Sequence, residues 1–398
     1  MNSTAHVLPN NLLVAPYLNN TEYADIILLH WYKFAEPESV YFYLLGACAT
    51  IIGLSAIAAN SLIIIAYIST KSLRSSCNWF TINLAISDIG LSITCCFPMK
   101  AVAMFQRKWI WGKVGCDFYG VSGGLFGFAS IATLATIAYL RYNTIAQVQT
   151  WSNTVTRRKA IFALLAIWLW SATWPMLPYF GLGRWVLEGF LTGCTFDYIS
   201  NDRSSRVFSL CLFFGGFICP VLLICFSYAR IIWLIRASKR HLCQSTPRDG
   251  TDTQEIPCKE LLSLRAIKTI ALLIFTFLVA WGPYACVCIL SVFGYQKHLT
   301  PWTTELPGLF AKTGALFNPI IYVFRHKRIR KRISRRYPRL QSFLSKQPHP
   351  STLAHMKQNQ TPSVRTTSKR SFSDGNLTTH SGTRSSDHSN LELERLRC

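Results

Sequence analysis

Hydrophobic positions in this chain fall into seven long runs rather than short alternating stretches. They cover residues 40–68, 79–105, 118–142, 160–182, 207–235, 267–293 and 306–324. A helix needs roughly 20 apolar residues to cross the ~30 Å hydrocarbon core of a bilayer, so each run predicts a membrane-spanning helix. The fold class this implies is an all-α membrane protein, a bundle of seven transmembrane helices. Residues 1–39 then form an amino-terminal segment and residues 40–324 the membrane domain. No cleavable signal peptide is expected, because the start of the chain is polar and has no short apolar core followed by small residues. After the last run, 325–340 sets Phe324, Ile329 and Ile333 on one side of many cations. That pattern predicts a short cytoplasmic amphipathic helix on the anionic membrane surface, in preference to a solvated basic run. Residues 341–398 are rich in Ser, Thr, Pro and Asn and predict a disordered tail, since they cannot bury a core. A polar loop is expected over 241–257.

Composition agrees with this reading. Half of the 398 residues are apolar and only 15% are charged, against about 25% in a soluble domain. The net charge of +23 is segregated: from Arg325 onward there are 17 Lys or Arg against 4 Asp or Glu. Nucleic-acid binding would need a folded basic face with readout elements, and none is visible. The cations flank apolar runs instead. Lys71, Arg74, Arg157, Arg158, Lys159, Arg236, Lys239, Arg240 and Arg248 mark the cytoplasmic side by the positive-inside rule. Arg107, Lys108 and Lys113 weaken the asymmetry. Sequons at Asn2 and Asn19 fit an extracellular amino terminus and glycosylation. The 14 cysteines are scattered without paired CxxC spacing, so no zinc or other metal site is expected.

Ionisable residues within spans are costly and therefore functional candidates. Asp88 in the second span, Asn60 in the first and Asn318 in the seventh could form a polar network, either a packing cluster or an ion site. Lys312 lies near the middle of the seventh span. Its ammonium must be paired, deprotonated or used covalently, and a desolvated amine can form a Schiff base with an aldehyde. On spacing alone, an ion pair and a Schiff base stand even.

Six residues after Lys312 comes Asn318-Pro319-Ile320-Ile321-Tyr322. With this motif the chain resembles the seventh helix of rhodopsin-like G-protein-coupled receptors, and Lys312 resembles the retinal-binding lysine of opsins. Asn60, Asp88, Cys116, Arg141-Tyr142, Trp168, Cys194, Pro220, Tyr228 and Trp281-Gly282-Pro283-Tyr284 extend the resemblance over most of the body. Short stretches such as Thr81–Ala85, Trp111–Cys116 and Gly193–Thr195 are similar to those of neuropsin-like opsins. The resemblance implies retinal as cofactor, 11-cis or all-trans, bound through Lys312. It implies a disulfide between Cys116 and Cys194 over the pocket. It also implies a lining that includes Tyr119, Gly120, Gly123, Gly124, Gly127, Phe217, Trp281 and Tyr284, although the glycine face alone could equally be close helix packing. The third-helix counterion position of vertebrate visual pigments holds Tyr119. Glu188, six residues before Cys194, matches the second-loop counterion of bistable opsins. Glu305 is the runner-up, weighed against a solvated helix end. Lys100, three positions beyond Phe97, could reach the pocket, but snorkelling toward the extracellular surface is the expected role.

The chain also departs from the family. Leu140 stands where an acid usually precedes the Arg141 switch residue, and Ser263 replaces the sixth-helix acid, so both likely restraints on Arg141 are missing. Phe97 precedes Pro98 where ultraviolet-sensing neuropsins carry Lys. The expected function is a light-sensing receptor, not an enzyme, in which photoisomerisation drives a switch through Arg141, Tyr142, Asn318, Pro319, Tyr322, Asp88 and Asn60. Its expected partners are a heterotrimeric G protein, arrestin and a receptor kinase at the Ser/Thr-rich tail, and the lipid of the plasma membrane. Two rivals are a retinal photoisomerase without signalling and a chemoreceptor that uses Lys312 only as an ion-pair partner.

Overall fold

A computed structural model of the chain describes residues 11–70, 75–146, 155–245 and 258–325, apart from the side chains of 238–245 and 258–266. The sequon at Asn2, the stretch 326–340 and the tail lie outside these residues. The apolar runs become helices α1 (Ser39–Ser69), α2 (Asn78–Cys95), α3 (Met99–Phe105), α4 (Gly112–Ala146), α5 (Arg157–Thr173), α6 (Arg203–Phe213), α7 (Cys219–Ser245), α8 (Cys258–Leu290), α9 (Pro301–Lys312) and α10 (Gly314–Arg325). Three runs are interrupted, each for a local reason. Pro98 has no N–H to donate and separates α2 from α3. A π-helical turn, Phe214–Ile218, joins α6 to α7. The seventh run breaks at Thr313, between α9 with Pro307 and α10 with Pro319.

Five of the resulting stretches are long and apolar enough to cross a membrane: Ser39–Ser69, Asn78–Phe105, Gly112–Ala146, Arg203–Ala237 and Ile267–His298. The 17-residue α5 and the broken pair α9 and α10 complete the bundle of seven. α5 ends nine residues short of its expected limit, because Pro175 and Pro178 cannot donate to a continuing helix and the chain turns at Leu177–Phe180 instead. Helix starts follow side-chain caps: Asp202 accepts from the Ser205 amide, and Thr300 pairs reciprocally with Thr303. α4 runs through the middle, packed against α2, α5, α7 and α8. The outer face carries bare apolar groups, such as Phe162, 71% exposed, and Phe275, 62% exposed. Such a face suits lipid rather than water.

The extracellular end holds a layer that hydropathy did not foresee. Strands β1 (Trp185–Glu188) and β2 (Gly193–Phe196) pair antiparallel, with Leu187 opposite Cys194. Residues 11–38 fold down on this hairpin in short turns. Trp31 is fully buried and donates its indole N–H to the Leu187 carbonyl at 3.1 Å. The Leu187 amide donates to the Ile26 carbonyl at 2.8 Å, and the Tyr17 hydroxyl donates to the Leu191 carbonyl at 2.8 Å. The segment becomes a cover because many of its apolar residues, among them Leu13, Val14, Tyr17, Ile26 and Trp31, join one buried cluster.

Candidate functional site

Beneath the hairpin, α4, α6, α8 and α9 enclose a cavity with mainly apolar walls. Lys312, Glu188, Tyr119, Gly120, Gly123, Gly124, Gly127, Phe217, Trp281 and Tyr284 all line it. They come from three helices, the π-helical turn and β1, brought together from across the chain. α9 runs inward from its cap at Thr300, and helical side chains lean toward the amino-terminal end of their helix. The Lys312 stem accordingly climbs one turn, and its ammonium donates to the Gly308 carbonyl at 3.0 Å. It also lies 6.0 Å from the centroid of the Tyr119 ring, within reach of a cation–π attraction. The Tyr119 hydroxyl is engaged elsewhere, donating to the Cys95 carbonyl at 3.0 Å.

Glu188, at the end of β1, accepts a 2.8 Å hydrogen bond from the Tyr198 hydroxyl. Burial pushes its carboxyl up to about 7, while that hydrogen bond and the Lys312 charge pull it down. A β-carbon built on Gly308 would stand 3.7 Å from the Glu188 carboxylate, so carboxylate and amine both border the place where α9 lacks a side chain. The hairpin holding Glu188 is tied to α4 by the Cys116–Cys194 disulfide.

The glycine face of α4 is close packing that also lines the cavity. A β-carbon on Gly124 would lie 2.9 Å from Pro175, one on Gly123 3.1 Å from the Cys95 sulfur, and one on Gly127 3.2 Å from the Trp281 ring. The missing side chains let Trp185 and Trp281 stand against the helix and shape the cavity. Trp185, Phe128, Phe277, Thr195 and Cys288 also belong to the lining. Sequence reasoning missed them. Thr195 next to Cys194 and Trp185 three residues before Glu188 were the available signals.

Two expectations need correction. Lys100 does not reach the extracellular surface: it is 3% exposed and pairs with Glu305 at 2.7 Å. Glu305 is not a solvated helix end either, being 3% exposed. The loop between the strands closes over both, and a paired carboxylate is the available stable partner for an ammonium enclosed there.

Deeper in the bundle, Asn318 donates to Asp88 at 2.7 Å and Ser130 donates to the other Asp88 oxygen at 3.1 Å. Asn60 joins α1 to α10 through the Ala315 carbonyl at 2.9 Å. Toward the cytoplasm, Tyr67, Tyr322 and Tyr228 are near Arg141. Tyr142 meets Phe226 edge to face and lies under the Arg230 guanidinium. Leu140 packs with the Phe80 and Ala160 cluster. Ser263 falls on α8, where side chains lie outside the described residues.

Comparison with known proteins gives one consistent likeness. The family model described as 7 transmembrane receptor (rhodopsin family) matches residues 59–322. The rhodopsin of Enteroctopus dofleini is 37% identical over 311 residues, 78% of this chain and 68% of that protein. The Gq-coupled rhodopsin of Mizuhopecten yessoensis is 35% identical over 78% of this chain and 62% of that protein. Melanopsin of Homo sapiens is 33% identical over 74% of this chain and 62% of that protein. The crystal structure of squid rhodopsin superposes with a TM-score of 0.75 at 34% identity, covering 85% of this chain and 97% of that one.

Proposed function

This chain belongs to the rhodopsin family of seven-transmembrane receptors, and from that premise we propose that it is switched by light absorbed in a retinal group held on Lys312. It is a multi-pass membrane opsin that binds retinal and senses light, a receptor rather than an enzyme, similar to invertebrate rhodopsins and melanopsin. Retinal, when bound, supplies a light-driven double-bond isomerisation. The residues present suit it. A single amine projects into a largely apolar, aromatic-walled cavity that a half-buried carboxylate also lines.

The observation that carries the proposal is this meeting of Lys312 and Glu188 in one enclosed space. Lys312 holds the ligand at its Nζ. Glu188, oriented by Tyr198, balances positive charge at that nitrogen, since an opposite charge at close range favours the cationic form. Trp281 stands at the inner wall against Gly127, with Phe277 stacked beneath at a centroid distance of 5.7 Å. Trp281 and Phe277 would carry a change in ligand shape into α8, which has Pro283 two residues beyond Trp281. The population then shifts toward a state with its cytoplasmic end opened, to the extent that the new shape favours that state.

Coupling to a G protein of the Gq kind is the reading the relatives support, through the Gq-coupled rhodopsin of Mizuhopecten yessoensis. The neuropsin-like placement rests on short matching stretches alone, whereas the likeness along most of the chain is to cephalopod rhodopsins and melanopsin. Arrestin and receptor kinase are assigned to the Ser/Thr-rich tail by its composition. The plasma membrane, with the amino terminus outside, is favoured by the exposed Asn19 sequon and by the disulfide at that end. The division into segments 1–39, 40–324, 325–340 and 341–398 belongs to the same proposal.

The test is an absorption spectrum after reconstitution with 11-cis and with all-trans retinal. Pigment is expected with at least one isomer, and Lys312→Ala is expected to abolish it while membrane expression persists. Borohydride trapping that labels a different residue would overturn the assignment.

A further inference from the structure

Two carboxylates stand near the Lys312 nitrogen, yet only Glu188 lines its cavity. Glu305 is seven residues before Lys312 on the same helix. The Lys312 stem closes part of that gap by reaching the Gly308 carbonyl, three residues from Glu305 and about 4.5 Å away along the axis at 1.5 Å per residue. Gly308 has no side chain to stand between them. By position alone, Glu305 would compete for the role of charge partner.

What withdraws it is Lys100. Its ammonium contacts both Glu305 oxygens, at 2.7 and 2.9 Å, and also donates to the Thr192 hydroxyl at 3.1 Å. The Phe190 amide donates to the same carboxylate at 3.3 Å. Glu305 is thereby fixed toward the strand-connecting loop, and its charge is cancelled by a group as enclosed as itself. Lys100, Glu305, Lys312 and Glu188 form one cluster of two cations and two anions acting on one another. The other titratable groups facing it are Tyr119, Tyr198, Tyr284, Cys95, Cys96 and Cys288, all neutral when protonated.

We propose that Lys100 is a positioning residue that selects the charge partner of the Lys312 nitrogen: by holding Glu305, it leaves Glu188 to serve alone. This deepens the reading above and rests on retinal attachment at Lys312. Substituting Lys100 by an uncharged residue frees a second carboxylate one helical turn from the Lys312 nitrogen. The pigment then no longer depends on Glu188.

The experiment measures the pH at which visible absorption is half converted to ultraviolet absorption in full-length pigment. Glu188→Gln should lower this midpoint by about one unit or more. Lys100→Met combined with Glu188→Gln should bring it back toward the unmodified value, as Glu305 takes over. Lys100→Gln with Glu188→Gln repeats the comparison while keeping a donor for Thr192. Lys100→Met with Glu305→Gln removes the pair as a unit, a change buried ion pairs often tolerate, and should leave the midpoint within a few tenths of a unit.

Midpoints in both Lys100 and Glu188 double variants that match Glu188→Gln alone would overturn the proposal. So would a midpoint unmoved by Glu188→Gln, or loss of the visible band when Lys100 and Glu305 are replaced together, which would make Glu305 the direct partner. No pigment from the unmodified chain with either isomer would overturn the attachment reading as well, so the two failures are told apart.

Discussion

Glu188 is a carboxyl whose surroundings oppose its charge until a cation stands beside it. Burial raises it from an ordinary 4.5 to about 7, against the Tyr198 hydrogen bond and the Lys312 charge. A raised acid binds its proton more tightly folded than unfolded. The stability it contributes is therefore fully present below about 4.5 and lost as pH rises through about 7. Ligand-free protein in detergent should lose thermal stability across that window relative to Glu188→Gln, in which this component is gone. Melting curves of the two at matched pH check the prediction, and parallel pH dependences would show the carboxyl ionised throughout. At this scale the sequence was most legible where one motif fixed several residues together. Lys312, Asn318 and Tyr322 lie on one short stretch, and the spacing from Cys194 led to Glu188. Lys100 and Glu305, 205 positions apart, share no motif or period. A charge at the end of an apolar run reads as snorkelling unless the fold is known to close over it.

At the scale of elements, the seven spans were legible because lipid demands length and apolarity, which composition displays directly. Their interruptions were less so. Proline marks a break only when the neighbouring backbone shows which bonds it removes, and Pro175 with Pro178 shortened α5 in a way hydropathy does not register. The segment 11–38 was illegible for another reason. Its buried groups have no helical or strand period, and partners that hold it to the hairpin lie far along the chain, as Leu187 does from Trp31. That contact predicts a function for the segment as a cover. Trp31→Ala removes a fully buried ring and its bond to the hairpin, a loss of about 3–5 kcal/mol for a large aromatic. The pigment should melt at lower temperature and, in darkness, bleach faster with hydroxylamine, which must pass the cover to reach Lys312. A lower melting temperature with an unchanged bleaching rate would limit the segment to a structural role.

Across the whole molecule, light sensing requires that the cytoplasmic end stay closed until the ligand changes shape. Arg141 is the residue whose pairing usually enforces this in the family the chain resembles, and here Leu140 and Ser263 supply no acid. Three tyrosines, Tyr67, Tyr228 and Tyr322, are near Arg141. A neutral hydroxyl holds a guanidinium less firmly than a carboxylate does, because it lacks the full opposite charge that adds Coulomb attraction. One tie across the opening is visible, from the Tyr228 hydroxyl on α7 to the Ile267 carbonyl on α8 at 3.1 Å. A net hydrogen bond of that kind contributes about 0.5–1.5 kcal/mol. The missing acid–arginine restraint is of similar size, about 1 kcal/mol in a partly hydrated setting, enough to raise a minor open population several-fold. Reconstituted receptor should therefore activate its G protein measurably in darkness. Leu140→Glu should lower that dark signal while preserving the response to light. Nucleotide exchange on a Gq-type protein, measured before and after illumination, reads both quantities. A silent dark state with a light response unaffected by Leu140→Glu would show that the closed state is held without an acid beside Arg141. Silence in both conditions from a pigment that isomerises would favour retinal isomerisation without signalling.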